Sequence, residues 1–261
     1  MYAPHTEYLF RLAGIGPGMT VVDVGCGPGD VTRLLARMVG QSGFVTGIDI
    51  DPAMLRAAAR DTAAAGLGNV SFRQATLPDV PVEQSVDALV GRLILMHLDE
   101  PAAAVRLMAR HVRPRGIICF QDVSITESRT VPPLPLVGQC LDWLTAAFLA
   151  GGREPDFGDR LPAILRAVGF PAPHVAATVP AGGPESLNYA HLAAGVAMLL
   201  PVIEASGAAR RDNVAIETLP SRLRKEALAA AGTLYSAELI GAWAQTPPVD
   251  PDAREMIAPA L

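Results

Sequence analysis

The chain of 261 residues has few cysteines, few aromatic residues and almost no lysine. Its three cysteines, Cys26, Cys119 and Cys140, include no Cys-x-x-Cys pair, which argues against a disulfide framework and against a structural zinc site. Lys225 is the sole lysine among 21 basic residues, and the formal net charge is -5. We therefore expect no nucleic-acid partner, because such proteins carry a basic surface, and we predict no metal site.

The sequence also lacks a long hydrophobic run and an export signal. The longest nearly apolar stretch, residues 192–203, contains Pro201 and is shorter than the roughly 20 residues of a membrane-spanning helix. We interpret it as a buried helix. No basic segment followed by an apolar segment occurs at the N-terminus. Half of the residues are hydrophobic and 18% are charged, which excludes a disordered chain. We expect a folded cytoplasmic protein that does not contact a membrane.

Up to residue 123, short β-rich segments alternate with helix-length amphipathic segments, as is typical of βαβ units on a parallel sheet. Proline and glycine mark the helix ends. One helix is predicted from Pro28 to Gly40, another from Pro52 to Gly66, and a third is predicted to begin near Pro101. The predicted strands are 20–25, 44–49, one that begins at 70, 86–90 and 116–123.

After residue 123 this alternation stops. We predict a loop at 130–135, helices at 136–149, 158–169, 185–206 and 213–231, and strands at 174–179 and 232–244. The pattern predicts a core domain of residues 1–123, 158–180 and 232–245. The insertions 124–157 and 181–231 would then form a helical lid, and 246–261 would be a loosely held tail.

The strongest local pattern is a glycine-rich segment from Asp23 to Asp30, between a hydrophobic strand and a helix start. Glycine allows a sharp turn and lets a ligand approach the backbone closely. The spacing is G-x-G-x-G, not the G-x-G-x-x-G of dinucleotide sites, and no Gly-Lys-Ser/Thr follows as in phosphate loops. An acid at Asp23 suits a cationic ligand better than an anionic one. The alternative is a tight strand–helix turn without a ligand.

Two acids, Asp49 and Asp51, follow the second predicted strand about twenty residues downstream. An acid at the end of this strand can accept both hydroxyl hydrogens of a ribose in nucleotide-binding folds. Because Asp51 precedes Pro52, it is better placed to cap the next helix. We assign the ribose to Asp49 and the helix cap to Asp51.

With these motifs the chain resembles the class I S-adenosylmethionine-dependent methyltransferases, particularly the ubiquinone/menaquinone-biosynthesis-type group. The resemblance covers residues 10–123 clearly and 158–180 more weakly. It depends on the glycine loop, on Asp49, and on the segments 86–98 and 112–116. It implies an α/β fold: a Rossmann-like, seven-stranded, mostly parallel sheet with one reversed strand and helices on both faces, plus helical lid insertions.

The resemblance implies S-adenosyl-L-methionine as the cofactor. It places the methionine part at the glycine loop, the ribose at Asp49, and the adenine face at Ile50 and Met54. Where the family usually has an acid for the adenine amino group, this chain has Thr76, a neutral acceptor. The other implied cofactor contacts are Asp23, Gly25, Cys26, Gly27, Gly29 and Asp30 in the loop, the backbone N–H of Leu77, and Gly91 and Arg92 after the fourth strand.

His97 is the candidate catalytic residue, because it follows the fourth strand near the expected acceptor. As a general base it would take a proton from the acceptor; the alternative is a role in ordering the loop, since the family often carries a histidine here regardless of substrate. His191, like the other histidines, has no ligand spacing and is interpreted as structural. Tyr2 is expected to pack the first helix; the alternative is that the N-terminus, with Tyr2, Glu7 and Tyr8, folds over the site.

The insertions are rich in apolar residues and poor in charge, which indicates an apolar small-molecule acceptor such as a secondary metabolite or a quinone-like ring. Methyl transfer by in-line displacement, with catalysis by proximity, is the leading hypothesis. One alternative is an enzyme that uses the positive sulfonium electrostatically for a rearrangement or elimination. Another is a non-catalytic binding subunit, which the intact glycine loop disfavours. A homodimer is left open. The lid side chains of first interest are Trp143, Phe148, Phe157, Tyr189 and Met198.

Overall fold

The computed structural model describes residues 1–82, 84–170 and 172–248. Strands β1 to β10 are Thr20–Val24, Phe44–Asp49, Val70–Gln74, Val86–Arg92, Val112–Ser124, Arg129–Val131, His174–Thr178, Ala181–Gly182, Thr233–Tyr235 and Glu238–Gln245. Helices α1 to α9 are Ala3–Leu12, Asp30–Val39, Pro52–Ala64, Pro101–Met108, Pro135–Ala150, Leu161–Val168, Leu187–Ala205, Arg211–Val214 and Leu219–Ala230. Short 3-10 turns span Leu95–His97, Ala109–His111 and Phe157–Arg160.

The main sheet has seven strands in the order β3-β2-β1-β4-β5-β10-β7. The pairs from β3 to β5 are parallel, whereas β10 runs antiparallel to both β5 and β7. The predicted seven-stranded sheet with one reversed strand is therefore confirmed. The strand order reverses between β1 and β4, and open α/β sheets bind ligands beyond the carboxyl ends of the strands at such a point.

Helices cover both faces of this sheet, as predicted. The side chains of one strand alternate between the faces: Val21 packs with α1 and α2, while Val22 and Val24 pack with α4 and α6. This alternation buries both faces of the central strands, which explains why their sequences are nearly continuous apolar runs. The rigid sheet fixes the positions of the loops that follow β1, β2 and β4.

The C-terminal half departs from the predicted elements in several places. The expected strand 232–244 is two strands, because β9 pairs with β6 and β8 in a separate three-stranded sheet while β10 joins the main sheet. The expected loop 130–135 overlaps β6. The expected helix 213–231 is divided into α8 and α9, with Ala215 between them in a left-handed conformation. Pro201 lies inside α7 and does not end it.

Helices α5, α7 and α9 form a second core, here called the helical cap. Their apolar side chains, Trp143, Tyr189, Val196 and Leu223 among them, pack together apart from the main sheet. By length and composition α7 could cross a membrane, but its apolar side chains are partly buried in the cap. The division of the chain into a core domain and the lid insertions 124–157 and 181–231 stays a prediction.

Two further expected boundaries shift slightly. Strand β5 begins at Val112 rather than at 116, after a register irregularity between β4 and β5. Thr246, the first residue of the expected tail, is buried: its hydroxyl donates to the Arg113 carbonyl at 2.6 Å and accepts from the Gly116 N–H at 3.0 Å. The rest of the expected tail, from 249, lies outside the described residues.

Candidate active site

The glycine loop joins β1 to α2 and has three glycines in left-handed conformations. Gly25, Gly27 and Gly29 have φ values of 67°, 51° and 81°, which side-chain-bearing residues rarely adopt. A Cβ atom at Gly25 would lie 2.4 Å from Ile94 Cδ1, so the space there is already filled. A Cβ at Gly27 would meet nothing within 4 Å. The backbone at Gly27 therefore faces open space that a ligand can enter.

Asp49 ties the glycine loop to the end of β2. One carboxylate oxygen, Oδ2, accepts a hydrogen bond from the Gly27 N–H at 2.8 Å, and Oδ1 accepts from the Asp51 N–H at 2.9 Å. The Asp51 side chain accepts from the Ala53 N–H at 2.7 Å, so the predicted helix cap at Asp51 is confirmed. Each Asp49 oxygen can accept a second hydrogen bond, so the carboxylate can still receive ligand hydroxyls.

Asp23 lies beneath the loop, in the core. Its side chain is buried, and its Oδ2 accepts from the Thr32 hydroxyl at 2.6 Å. Burial raises the pKa of Asp23 to about 7, opposed by this hydrogen bond and by the positive charge of Arg92. Cys26 is also buried, and burial raises the pKa of its thiol. Both side chains are therefore on the buried side of the site and not on its open surface.

Asp30 begins α2 on the outer side of the loop. Its carboxylate is largely exposed and forms an ion pair with Arg33, whose guanidinium also donates to the Pro28 carbonyl at 2.8 Å. An acid in the first turn of a helix interacts favourably with the partial positive charge of the helix start. Its position leaves the carboxylate accessible to a ligand above the loop.

Exposed apolar side chains lie beside Asp49, at the carboxyl ends of β2 and β3. Ile50 is 61% exposed and Met54 is 41% exposed, which is unusual for residues of these types. Thr76 is exposed at the end of the neighbouring strand, and Leu77 is partly buried against the core. The two strand ends that carry these residues are adjacent, because Asp49 pairs with Gln74 and the Gln74 side chain donates to the Ile50 carbonyl at 3.0 Å. The adenine contacts implied by the resemblance stay predictions.

The end of β4 carries Gly91 and Arg92. A Cβ at Gly91 would lie 2.7 Å from Ile94 Cγ2, so the chain passes closely under the next turn. The Arg92 guanidinium donates to the Thr6 hydroxyl at 3.0 Å, which joins the sheet to α1. Burial lowers the pKa of Arg92, and the nearby Asp23 and Asp30 carboxylates partly offset this. No local pattern in the sequence predicts this hydrogen bond between Arg92 and Thr6, which are 86 positions apart.

A cavity of about 460 Å³ lies between this end of the sheet and the helical cap. Its wall is formed by the N-terminus, by the segment after β4, by the end of β5, and by α5 and α7. Most of the wall is apolar. The polar side chains on it are Tyr2, His97, Ser128, Arg153, Asn188, His191 and Ser236.

Of the five lid side chains of first interest, two line the cavity and three do not. Phe148 and Met198 line it, whereas Trp143, Phe157 and Tyr189 are buried in the cores. Tyr2 and His191 pack edge to face, with ring centroids 5.8 Å apart, and both face the cavity. The interpretation of His191 as a structural residue stays a prediction, but its position on the cavity wall was not predicted. Its exposure to the cavity results from how α7 packs, which no spacing in the sequence predicts.

His97 lies on the cavity wall, at the end of the 3-10 turn that follows β4. Partial burial, and secondarily the charge of Arg153, lower the pKa of His97 below its ordinary value. Arg153 donates to the backbone carbonyl of Met96, one residue before His97. His97 can therefore accept a proton at neutral pH, but no side chain is hydrogen-bonded to it among the described residues. Arg153 was not predicted from the sequence.

Among the described residues, no cluster of three or more metal-ligating side chains occurs. The site instead consists of a glycine loop, an acid at the end of the second strand and an apolar cavity beyond the carboxyl ends of β4 and β5. These features define the class I methyltransferase fold. A family model described as "Methyltransferase domain" matches residues 15–146, and the chain belongs to this family, whose cofactor is S-adenosylmethionine.

Similar proteins extend this result. Over 119 residues the chain is 38% identical to nocamycin O-methyltransferase of Saccharothrix syringae, covering 45% of this chain and 42% of that protein. Over 208 residues it is 28% identical to the ubiquinone/menaquinone biosynthesis C-methyltransferase of Salmonella paratyphi B. This match covers 74% of this chain and 77% of that protein. The chain spans less than half the length of the first curated relatives that it matches.

Among solved structures, the YcgJ protein from Bacillus subtilis superimposes with a TM-score of 0.58. The superposition covers 94% of this chain and 99% of that chain at 18% sequence identity. At this identity the similarity supports the fold alone. The shared fold extends through the C-terminal half, including the region of the cap.

Proposed function

We propose that this chain transfers a methyl group from S-adenosylmethionine to an apolar small molecule. The observation that carries the proposal is that the apolar cavity of about 460 Å³ adjoins the proposed cofactor site: Leu93, two residues after Gly91, forms part of the cavity wall. A ligand in the cavity would therefore lie next to the residues proposed to hold the cofactor. The cavity is within the size range of small-molecule sites, which is roughly 300–1,000 Å³.

The residues at the sheet edge fit the cofactor. Open space above Gly27 leaves room for a ligand against the backbone, and the Asp49 oxygens retain acceptor capacity. Ile50 and Met54 offer exposed apolar surface on which an adenine ring could stack. We propose Thr76 and the N–H of Leu77 as the polar contacts of that ring. Asp23 and Cys26 would act through the loop conformation, and Gly91 and Arg92 would lie near the methionine part.

When bound, the cofactor supplies a methyl group that is already activated by the positive charge on sulfur. The protein's task is then mainly to hold the acceptor in line and to exclude water. The apolar wall of the cavity would contribute to both, because it would cover part of the acceptor's surface and restrict its orientation. His97, uncharged at neutral pH, is available to accept a proton but is not required for the proposal.

The class of acceptor is proposed from the cavity wall. Phe148, Leu192 and Met198 are typical of side chains that bind rings or alkyl chains by burial of apolar surface. The names of the similar enzymes include both an O-methyltransferase and a C-methyltransferase, so the family alone does not select the acceptor atom.

Two measurements test the proposal. Calorimetric titration with S-adenosylhomocysteine should give saturable binding, and incubation with S-adenosylmethionine and a panel of apolar acceptors should give a product heavier by one CH₂ unit. A cofactor-dependent product of unchanged mass would instead favour the alternative, a rearrangement assisted by the sulfonium charge. Absence of cofactor binding by the folded protein would contradict both.

A further inference from the structure

The cavity wall carries basic side chains but no acidic ones among the described residues. Among the described residues that line it, none is Asp or Glu, whereas Arg153, His97 and His191 all face it. This contrasts with the chain as a whole, which has a net charge of -5. A wall that combines apolar side chains with basic groups and lacks carboxylates favours a ligand with a negative charge.

Arg153 is not neutralised by a neighbouring acid. It takes part in none of the ion pairs found among the described residues. Its sequence neighbour Glu154 pairs with Arg160 instead, at 3.0 Å. One Arg153 N–H group donates to the Met96 carbonyl. A guanidinium has five N–H donors, so several remain for a ligand.

The two histidines on the wall experience the same positive environment. For His97, burial and then the charge of Arg153 lower the pKa. For His191, burial and then the charges of the N-terminus and Arg92 lower it. Five carboxyl groups are one residue away from a wall residue in sequence, and none of them lines the cavity: Asp122, Glu127, Asp142, Glu154 and Glu238. Asp122 is buried, and its carboxylate accepts from the N–H of the wall residue Val123 at 3.0 Å. No carboxylate among the described wall residues therefore pairs with Arg153.

From these contacts we propose that the cavity binds an apolar small molecule that carries one anionic oxygen group, a carboxylate or an ionised enol or phenol, held by Arg153. The inference rests on the proposed function in so far as this molecule is the methyl acceptor. Arg153 is the one arginine among the described residues of an otherwise mostly apolar wall, and its single charge matches one anionic group. A hydrogen bond between a guanidinium and an anionic oxygen is stronger than a bond between neutral groups, and apolar surroundings strengthen it further.

A matched pair of ligands tests the charge preference directly. We would titrate the full chain with 2-naphthoate and with 2-naphthamide, which present nearly the same apolar surface but differ in charge. Wild-type protein is expected to bind the naphthoate about tenfold or more tightly than the amide, which corresponds to about 1.4 kcal/mol. Titrations are done with and without saturating S-adenosylhomocysteine, so that cofactor binding is measured separately.

Variants then assign the preference to Arg153. Arg153→Gln is expected to lose the preference for naphthoate while binding the amide about as well as wild type does. Arg153→Lys, which keeps the charge, is expected to retain part of the preference. The control is Arg37→Gln, which removes an exposed arginine on α2, outside the cavity, and changes the net charge equally. This variant should keep the full preference.

Several outcomes would overturn the inference. Equal binding of the two ligands by wild type, or binding of neither, would contradict an anion site. A preference that persists in Arg153→Gln would exclude Arg153 as its cause. If Arg153→Gln weakened both ligands equally, Arg153 would serve only to hold the turn at Met96. Loss of S-adenosylhomocysteine binding with the naphthoate preference intact would contradict the proposed function but not the anion site.

Discussion

The carboxylate of Asp49 accepts a hydrogen bond from the backbone N–H of Gly27 at 2.8 Å, across 22 positions of the sequence. The bond connects the end of β2 to the loop after β1, so the acid expected to bind the ribose also holds the loop in place. Gly27 itself faces open space. If Asp49 binds the ribose as proposed, loop shape and ligand contact depend on the same side chain.

We first predict that Asp49→Ala weakens S-adenosylhomocysteine binding by well over tenfold. The variant loses acceptors for the ligand hydroxyls, and each charge-assisted bond contributes roughly 1.5–3 kcal/mol. Calorimetric titration measures the effect. Asp51→Ala is the matched control: it removes only a helix cap, so stability should fall by about 0.5–2 kcal/mol with little change in affinity. An unchanged dissociation constant for Asp49→Ala would refute the ribose assignment.

Replacing Gly27 should separate folding from binding. Gly27→Val is expected to abolish cofactor binding, because a branched side chain would occupy the open space above the loop. Gly27→Ala should also weaken cofactor binding, but less than Gly27→Val does. Gly66→Ala serves as the control, since Gly66 also has a positive φ, of 68°, and open space around its Cβ position. The strain of about 1–2 kcal/mol is then comparable, while the site is untouched.

Both glycine variants are examined by thermal melting alongside the titrations. Equal losses of thermal stability in Gly27→Ala and Gly66→Ala, with binding lost only in the first, would support the loop as a ligand site. Near-normal affinity in a folded Gly27→Val protein would instead mean that the loop is only a turn.

The third prediction is that His97 contributes little to the rate. We expect His97→Asn to slow single-turnover methylation by less than roughly tenfold, or about 1.4 kcal/mol in the barrier. General bases typically contribute about 10²–10⁴-fold, but the activated methyl group reduces the need for one. The measurement follows identification of an acceptor and uses saturating cofactor. A loss of a thousandfold or more, with the acidic limb of the pH profile removed, would make His97 the base.

A fourth prediction concerns Asp23 and the pH dependence of stability without cofactor. Burial raises its pKa from 3.8 to about 7, so the folded state binds this proton more tightly than the unfolded state. The resulting stability is present at low pH and is lost as pH rises from 3.8 through about 7. We therefore expect Asp23→Asn, which keeps an acceptor for Thr32, to become more stable relative to wild type as pH increases.

Chemical denaturation of the two proteins across this pH range measures the difference. Asp30→Asn, which removes an exposed carboxylate from the same loop, controls for the change in net charge. A difference between Asp23→Asn and wild type that does not vary with pH, or that varies in the opposite direction, would contradict the assigned shift.

Local patterns in the sequence were enough to predict the N-terminal half of the fold. Apolar runs bounded by glycine and proline located β1, β2 and β4, and the alternation of elements indicated a parallel sheet. Asp51 before Pro52 identified a helix cap, which the structure confirms. These features depend on interactions between residues close in sequence, and such interactions are visible as spacing.

The cavity and its charges were decided by tertiary structure. Arg153 reaches the Met96 carbonyl across 57 positions, and Asn188 donates to Ser236 across 48 at 3.2 Å. The division of 232–244 into two strands likewise results from pairing with β6 and β8, which no local pattern specifies. Such contacts form only when the cap packs against the sheet, because burial of apolar surface selects the arrangement of whole elements, and polar side chains are brought together as a consequence.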